Sequence, residues 1–202
     1  MHFRPRESIR VKLMPNSKPL GNQPSTNANE VAEFQLADGG VVHFRHVQPQ
    51  DEPLVADAIS TSSRETLLHR FFSPIRQVSS ERLRAMLTID RKKETCIVVV
   101  VTEKGDSRIV CGARFVRLAK ANAAEIALTV HDDFQRRGLG SFMLRLLIRL
   151  GRAEGLRCFE AYVMTSNVAM LRLLNKVVPA SRNWQGAGDV QHIIFDLKAI
   201  LI

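Results

Sequence analysis

The stretch His131-Asp132-Asp133-Phe134-Gln135-Arg136-Arg137-Gly138-Leu139-Gly140 decides how the rest of the chain is read. Residues 124–131 leading into it have the pattern of a strand. Beyond it, Leu139, Phe142, Met143, Leu146, Leu147 and Leu150 recur at three- and four-residue steps, the stripe of an amphipathic helix that packs on a sheet, and Gly151 and Gly155 mark its end. At the turn itself, Gly138 and Gly140 remove side chains that would keep a ligand from the backbone. Consecutive N–H groups at a helix start also have no intrahelical acceptor. The helix dipole favours negative charge there, and Arg136 and Arg137 add donors or local positive potential. The turn therefore reads as a cradle for two linked phosphates. Glycines near a helix start also form tight turns that bind nothing, so the surrounding order of elements has to carry the reading.

Working outward, a strand over residues 158–164 follows the helix. A helix must carry the chain back across the sheet, so this strand and the one before the turn lie roughly parallel. Upstream, strands over residues 95–102 and 109–118, joined by Lys104-Gly105-Asp106, form an antiparallel meander with residues 124–131. Phe34 and Leu36, the turn Asp38-Gly39-Gly40, and Val42, Phe44 and His46 predict an opening hairpin. Three helical patches come next. The first runs through Leu54, Val55, Ala58 and Ile59 with Asp51 as N-cap and Pro53 in the first turn. The second holds Leu67, Leu68, Phe71 and Phe72 and stops before Pro74, and the third starts near Ser79 and aligns Leu83, Met86 and Leu87. A helix over residues 168–176 and a strand over 190–197 close the chain, with no internal repeat. The expected fold is α+β (mixed α/β): a central, mostly antiparallel sheet with one parallel strand pair and helices on both faces. The glycine turn then sits at the carboxyl end of a strand, where anions bind.

Composition sets the limits. Residues from about Met14 to Glu30 carry Pro15, Pro19, Gly21 and Pro24 among polar side chains, so residues 1–30 read as a flexible arm and 31–202 as one domain. With 45% apolar and 24% charged residues, that domain can bury an ordinary core. Arg4, Pro5, Arg6, Glu7 and Arg10 break every stretch that could act as a secretory signal, so a cytoplasmic protein is expected. The apolar run from Cys96 to Val101 is too short to span a bilayer and reads as a buried strand, and no membrane partner is expected. Cys96, Cys111 and Cys158 each fall in an expected strand without metal-ligand spacing, which makes them core thiols and argues against zinc. A net charge of +9 attracts polyanions. No helix concentrates Lys and Arg with aromatics, however, and no zinc-finger or RNP-like string occurs, so specific nucleic-acid binding is not expected.

The decapeptide resembles the coenzyme A motif, Gln/Arg-x-x-Gly-x-Gly/Ala, of the Gcn5-related N-acetyltransferase (GNAT) superfamily, and the likeness in element order runs from about Asp38 to Leu197. Three further stretches, Arg64 to Phe72, Ala124-Glu125-Ile126-Ala127 and Thr165-Ser166-Asn167-Val168-Ala169-Met170, resemble the acetyltransferase domain of bacterial protein lysine acetyltransferases. The resemblance implies acetyl-CoA as acyl donor, lying in a V-shaped gap between the strand of Glu125 and that of residues 158–164. It assigns the pantetheine arm to backbone of Leu128 and Val130. The pyrophosphate falls to Gln135, Arg136, Arg137, Gly138, Leu139, Gly140 and Ser141, and the far wall to Asn167 and Met170. Such domains are often fused to a cyclic-nucleotide-binding or an acyl-CoA-synthetase-like domain. This sequence has room for neither, so control by a fused domain is not expected.

Transfer to an amine needs the amine neutral, yet a lysine amine has a pKa near ~10.4. A base is required. Glu125 matches the glutamate that the lysine acetyltransferase relatives carry in this strand, and burial would raise its pKa toward the useful range. A strand glutamate is otherwise most simply solvated or salt-bridged. His131, with an ordinary pKa near ~6.5, suits the task but sits at the phosphate end, which favours a structural or phosphate-side role. His43, His46, His69 and His192 read as satisfied or exposed. Many superfamily members place an acidic tyrosine where this sequence has about Leu174. The only tyrosine, Tyr162, lies in the preceding strand and reads as packing. The leading reading is acetyl transfer by direct attack of the amine, with protein lysine as acceptor. Its alternatives are a small amine, for which Asp132 and Asp133 are nearly the only acidic candidates beyond Glu125, a protein N-terminus, and a non-catalytic acyl-CoA-binding module.

Overall fold

The computed structural model describes residues 32–75, 77–103, 105–119, 122–178, 182–185 and 188–200. The N-terminal arm, residues 1–30, lies outside them. The chain opens with the hairpin β1 (Ala32–Gln35) and β2 (Val41–His46), followed by helices α1 (Glu52–Thr61), α2 (Arg64–Phe71) and α3 (Ser80–Leu87). Strands β3 (Glu94–Glu103), β4 (Asp106–Arg117) and β5 (Ala123–Val130) form the meander. Next come α4 (Leu139–Ala153), β6 (Cys158–Met164), α5 (Val168–Val177), β7 (Arg182–Gln185) and β8 (Val190–Asp196). The eight strands make one sheet in the order β1-β2-β3-β4-β5-β6-β8-β7. Among the described residues only β5 and β6 pair in parallel.

Hydrophobic burial explains the layering. Leu139, Phe142, Met143, Leu147 and Ile148 of α4 are buried in the main core with Val99, Phe115, Ile126, Phe159 and Phe195 of the sheet. A smaller cluster of Val47, Leu87, Val98 and Ile109 lies on the opposite face, with Leu54, Val55 and Ala58 of α1 packed against it. Fully burying each large apolar side chain contributes about 1.5–3 kcal/mol, so these two faces dominate the fold's stability.

Local signals operate as the residue types dictate, with three exceptions. Ser63 and Ser79 cap α2 and α3, their hydroxyls accepting from the N–H groups of Thr66 and Arg82. Asp51 stands at the N-cap of α1 but makes no capping bond. It is buried instead: its two oxygens accept from Arg45 at 2.7 Å each and one of them also from Gln48 N–H at 2.8 Å, which commits the carboxylate to the preceding turn. Gly151 does not end α4. It lies inside the helix, where a Cβ would come within 2.6 Å of Phe159 Cζ, so its role is close packing of helix on sheet. Strand β7 was not expected at all.

Candidate active site

The parallel pair β5–β6 is joined only at Ala123↔Cys158, Ala124↔Phe159 and Glu125↔Glu160. Beyond Glu125 the strands diverge, and the gap between them is lined by Glu125, Ile126, Leu128, Tyr162, Asn167 and Met170 among others. Ala123 accepts from Leu118 N–H and His131 donates to Val110 O, so odd-numbered backbone groups of β5 face β4. Those of Ile126, Leu128 and Val130 consequently face the gap, by strand alternation. Gln135 Nε2 covers one of them, donating to Val130 O at 3.1 Å. The remaining edge is open to an extended, amide-bearing chain that adds as a pseudo-strand.

The turn after β5 leaves a row of backbone donors unpaired at a helix start. Gly138, at φ 87°, is the N-cap of α4 and offers no side-chain cap. Phe142 N–H returns to Gly138 O at 3.1 Å. The N–H groups of Leu139, Gly140 and Ser141 find no acceptor outside the helix among the described residues. No acidic residue occupies the first turn, so these donors and the helix dipole stay available to an anion. Arg136 is exposed and held at φ 59°. Arg137 is engaged elsewhere: Nε donates to Asp38 at 2.6 Å, the guanidinium lies 4.6 Å from the centre of the Phe134 ring, and the carbonyl accepts from Ala37 N–H. It thereby ties the turn to the β1–β2 hairpin. Its hydrogen bond, with that from Gly40 N–H, holds the Asp38 carboxyl below the usual range.

Asp132 has a similar fastening role that its sequence position did not reveal. Its carboxylate accepts from Ser63 N–H at 2.8 Å, Ser63 Oγ at 2.7 Å and Thr66 Oγ1 at 2.8 Å. Partial burial opposes its ionisation, but these donors outweigh burial and pull its pKa below the ordinary value. The carboxylate thus ties α2 to the turn and is not among the residues lining the gap. His131 is 6% exposed, with Nε2 3.2 Å from Thr61 Oγ1 and Nδ1 accepting from Asp133 N–H at 3.4 Å. Both ring nitrogens serve structure.

Glu125 lies on the gap but is exposed, so the burial expected to tune it is absent. Arg70, which lines the same gap, is the cation whose charge its carboxylate acts on. Asn167 caps α5, its Oδ1 accepting from Met170 N–H at 3.0 Å, and both residues line the gap. Leu174 is fully buried in the main core. Tyr162 packs on one face, stacking on His192 with centroids 4.5 Å apart, but it is also 46% exposed on the gap wall. His192 Nε2 lies 2.8 Å from the buried Glu160, which fixes this platform. The end of α2 brings three further residues to the gap: His69, Arg70 and Phe72. Phe72 is 44% exposed and sits at φ 55°, an uncommon conformation for an aromatic residue and one that ends α2. Its residue type carries no signal for that conformation, so only the structure places it here.

Across residues 63–177, which hold α2, the gap and the turn, the sequence matches the acetyltransferase (GNAT) family. The chain belongs to this family. It is 34% identical over 144 residues to the acetyltransferase Pat of Mycolicibacterium smegmatis, a match covering 71% of this chain and 42% of Pat. The chain therefore spans less than half of that relative. An acetyltransferase of Pseudomonas aeruginosa is 30% identical over 135 residues, 67% of this chain and 73% of that protein. In fold, the chain resembles the GNAT domain of S. lividans PAT, with a TM-score of 0.72 over 82% of this chain and 96% of that one at 24% identity. GNAT acetyltransferases use acetyl-CoA, and the open β5 edge and unpaired helix start fit its two amides and its pyrophosphate. Among the described residues no group of three or more His, Cys, Asp or Glu is placed to hold a metal ion, and no helix is long and apolar enough to cross a membrane.

Proposed function

We propose that the chain transfers the acetyl group of acetyl-CoA to a protein lysine side chain, with Glu125 as general base. The supporting observation is that Glu125 stands where β5 and β6 part, on the strand whose far end leads into the phosphate-type turn and is joined to it by the Gln135–Val130 bond. Backbone of Leu128 and Val130 would hold the pantetheine arm, and the N–H groups from Leu139 to Ser141 the pyrophosphate. Glu125 takes a proton from the incoming ammonium, directly or through a water. The neutral nitrogen then attacks the thioester carbon, the C–S bond breaks, and an amide and a thiolate form. With Leu174 where relatives carry an acid, the thiolate takes its proton from water or from the amine's second proton.

The acceptor assignment follows the resemblance to protein lysine acetyltransferases and the exposed aromatic pair Phe72 and Tyr162 on the gap wall. A polycationic small amine is less well matched, because Asp132 is committed to Ser63 and Thr66. Thiol release from acetyl-CoA in the presence of a lysine-bearing protein, for the native chain and Glu125→Gln, tests the role of the base. Removing it lowers turnover by roughly 10²–10⁴ at unchanged acetyl-CoA affinity. Equal turnover in both proteins removes Glu125 from the mechanism.

A further inference from the structure

The sheet face under α1, α2 and α3 contains a cavity that acetyl transfer does not use. Across β3, β4 and β5 the side-by-side rows are Cys96–Arg114–Ala127 and Val98–Gly112–Thr129. Gly112 and Ala127 are small, as is Ala58 opposite them on α1, and together they leave a void of about 130 Å³. A Cβ built at Gly112 meets nothing within 4 Å. Apolar cavities of ~150 Å³ admit benzene, so this one has room for about six carbon atoms.

Two features say what would enter. Arg70 and Ala127 line both this cavity and the gap, so the cavity adjoins the place where the thioester would lie. The rest of the wall is largely aliphatic, including Val55, Ile59, Leu67 and Val98. Its charged members are Arg70 and Arg114, the latter paired with Glu94, and no carboxylate lines the cavity, so a lysine ammonium would find no counter-charge there. A neutral chain would not.

We propose that this cavity is an acyl pocket: donors with apolar acyl groups of about four to six carbons bind with the tail passing Arg70 and Ala127 toward Gly112. The inference rests on the gap being the acyl-CoA site. The chemistry is unchanged, with the longer acyl group replacing acetyl on nitrogen and CoA leaving as the thiol.

The test measures dissociation constants of acetyl-, butyryl-, hexanoyl- and succinyl-CoA for the native chain, Gly112→Ala and Gly112→Val, alongside acyl transfer to a lysine-bearing protein. Butyryl-CoA should bind more tightly than acetyl-CoA, by about fourfold per added methylene if its tail is fully buried. Gly112→Val should abolish that gain and leave acetyl-CoA affinity unchanged, with Gly112→Ala between. Should the valine variant fail to fold, the native series and the alanine variant still decide. Acetyl-CoA binding with no gain for butyryl-CoA overturns the acyl pocket alone, as does a gain that Gly112→Val leaves intact. Preference for succinyl-CoA overturns the apolar assignment in favour of the arginines. Failure to bind acetyl-CoA overturns the reading of the gap together with the pocket.

Discussion

Replacing Asp132 by Asn tests whether the phosphate-type turn and α2 form one mechanical unit. The carboxylate accepts three hydrogen bonds, from the N–H and hydroxyl of Ser63 and the hydroxyl of Thr66. Asparagine keeps one oxygen, able to serve the two hydroxyls, but points an NH₂ at Ser63 N–H. One charge-assisted bond is lost, about 1.5–3 kcal/mol, and the other two weaken. For a domain of this size each kcal/mol shifts the thermal midpoint by about 2–4 °C, so a fall of roughly 3–12 °C is expected near neutral pH. The pH dependence is specific. The folded pKa of Asp132 is depressed, so its stabilisation is fully present above the unfolded carboxylate pKa of ~3.9 and fades as pH falls through the lower folded value. Calorimetric or circular-dichroism melts of both proteins from pH 7 downward should therefore show a gap that is constant to about pH 5 and closes below ~3.9. Equal midpoints at pH 7, or a gap that persists undiminished in acid, would refute the assignment. Because α2 carries His69 and Arg70 to the gap, turnover should fall as well.

Gly151→Ala adds a Cβ that would come within 2.6 Å of Phe159 Cζ. The helix-propensity gain of about 1 kcal/mol should be overcome by an overpacking cost of about 1–3 kcal/mol, lowering the melting temperature; an unchanged or raised midpoint would refute the tight helix–sheet contact. Arg137→Ala should weaken the hairpin attachment through Asp38 only slightly, since solvent screens this exposed pair. Acetyl-CoA affinity should fall by less than for Arg136→Ala, as measured by calorimetric titration, and a larger loss at Arg137 would mean that the ligand captures this side chain. Gly140→Val crowds Leu173 Cδ2, which lies 3.3 Å from a Cβ built there, and Val130. Coenzyme A affinity should drop at least tenfold, the equivalent of about 1.4 kcal/mol, and unchanged affinity would place the ligand elsewhere.

Periodic patterns made most of the fold legible. The leucine-rich stripe of α4, the β-branched run of β3 and the strand–turn–helix–strand order each report a burial pattern that few alternatives satisfy. Strand β7, Arg182-Asn183-Trp184-Gln185, has no such alternation and is stabilised by pairing with β8, so nothing local announces it. Side-chain partners were equally hidden, whether near or distant in sequence: Asp51 looks like a cap until Arg45 is placed beside it, and Asp132 looks like an acidic pocket residue until Ser63 is. The burial expected for Glu125 failed for a related reason. Its strand is covered on the core face, but β5 pairs with β6 only as far as Glu125, and the point where that pairing stops is not written in the local residue pattern. The void beside Gly112 likewise depends on helices whose closeness to the sheet a sequence does not state.

The central claim is tested most directly by incubating the native chain with acetyl-CoA and a lysine-bearing protein, then mapping the modified atoms by mass spectrometry while counting free thiol. The account predicts acetyl groups on lysine Nζ in one-to-one proportion to the thiol released, with both signals lost together in Glu125→Gln. Acetyl-CoA binding without transfer, or thiol release with no acetylated lysine, would contradict it.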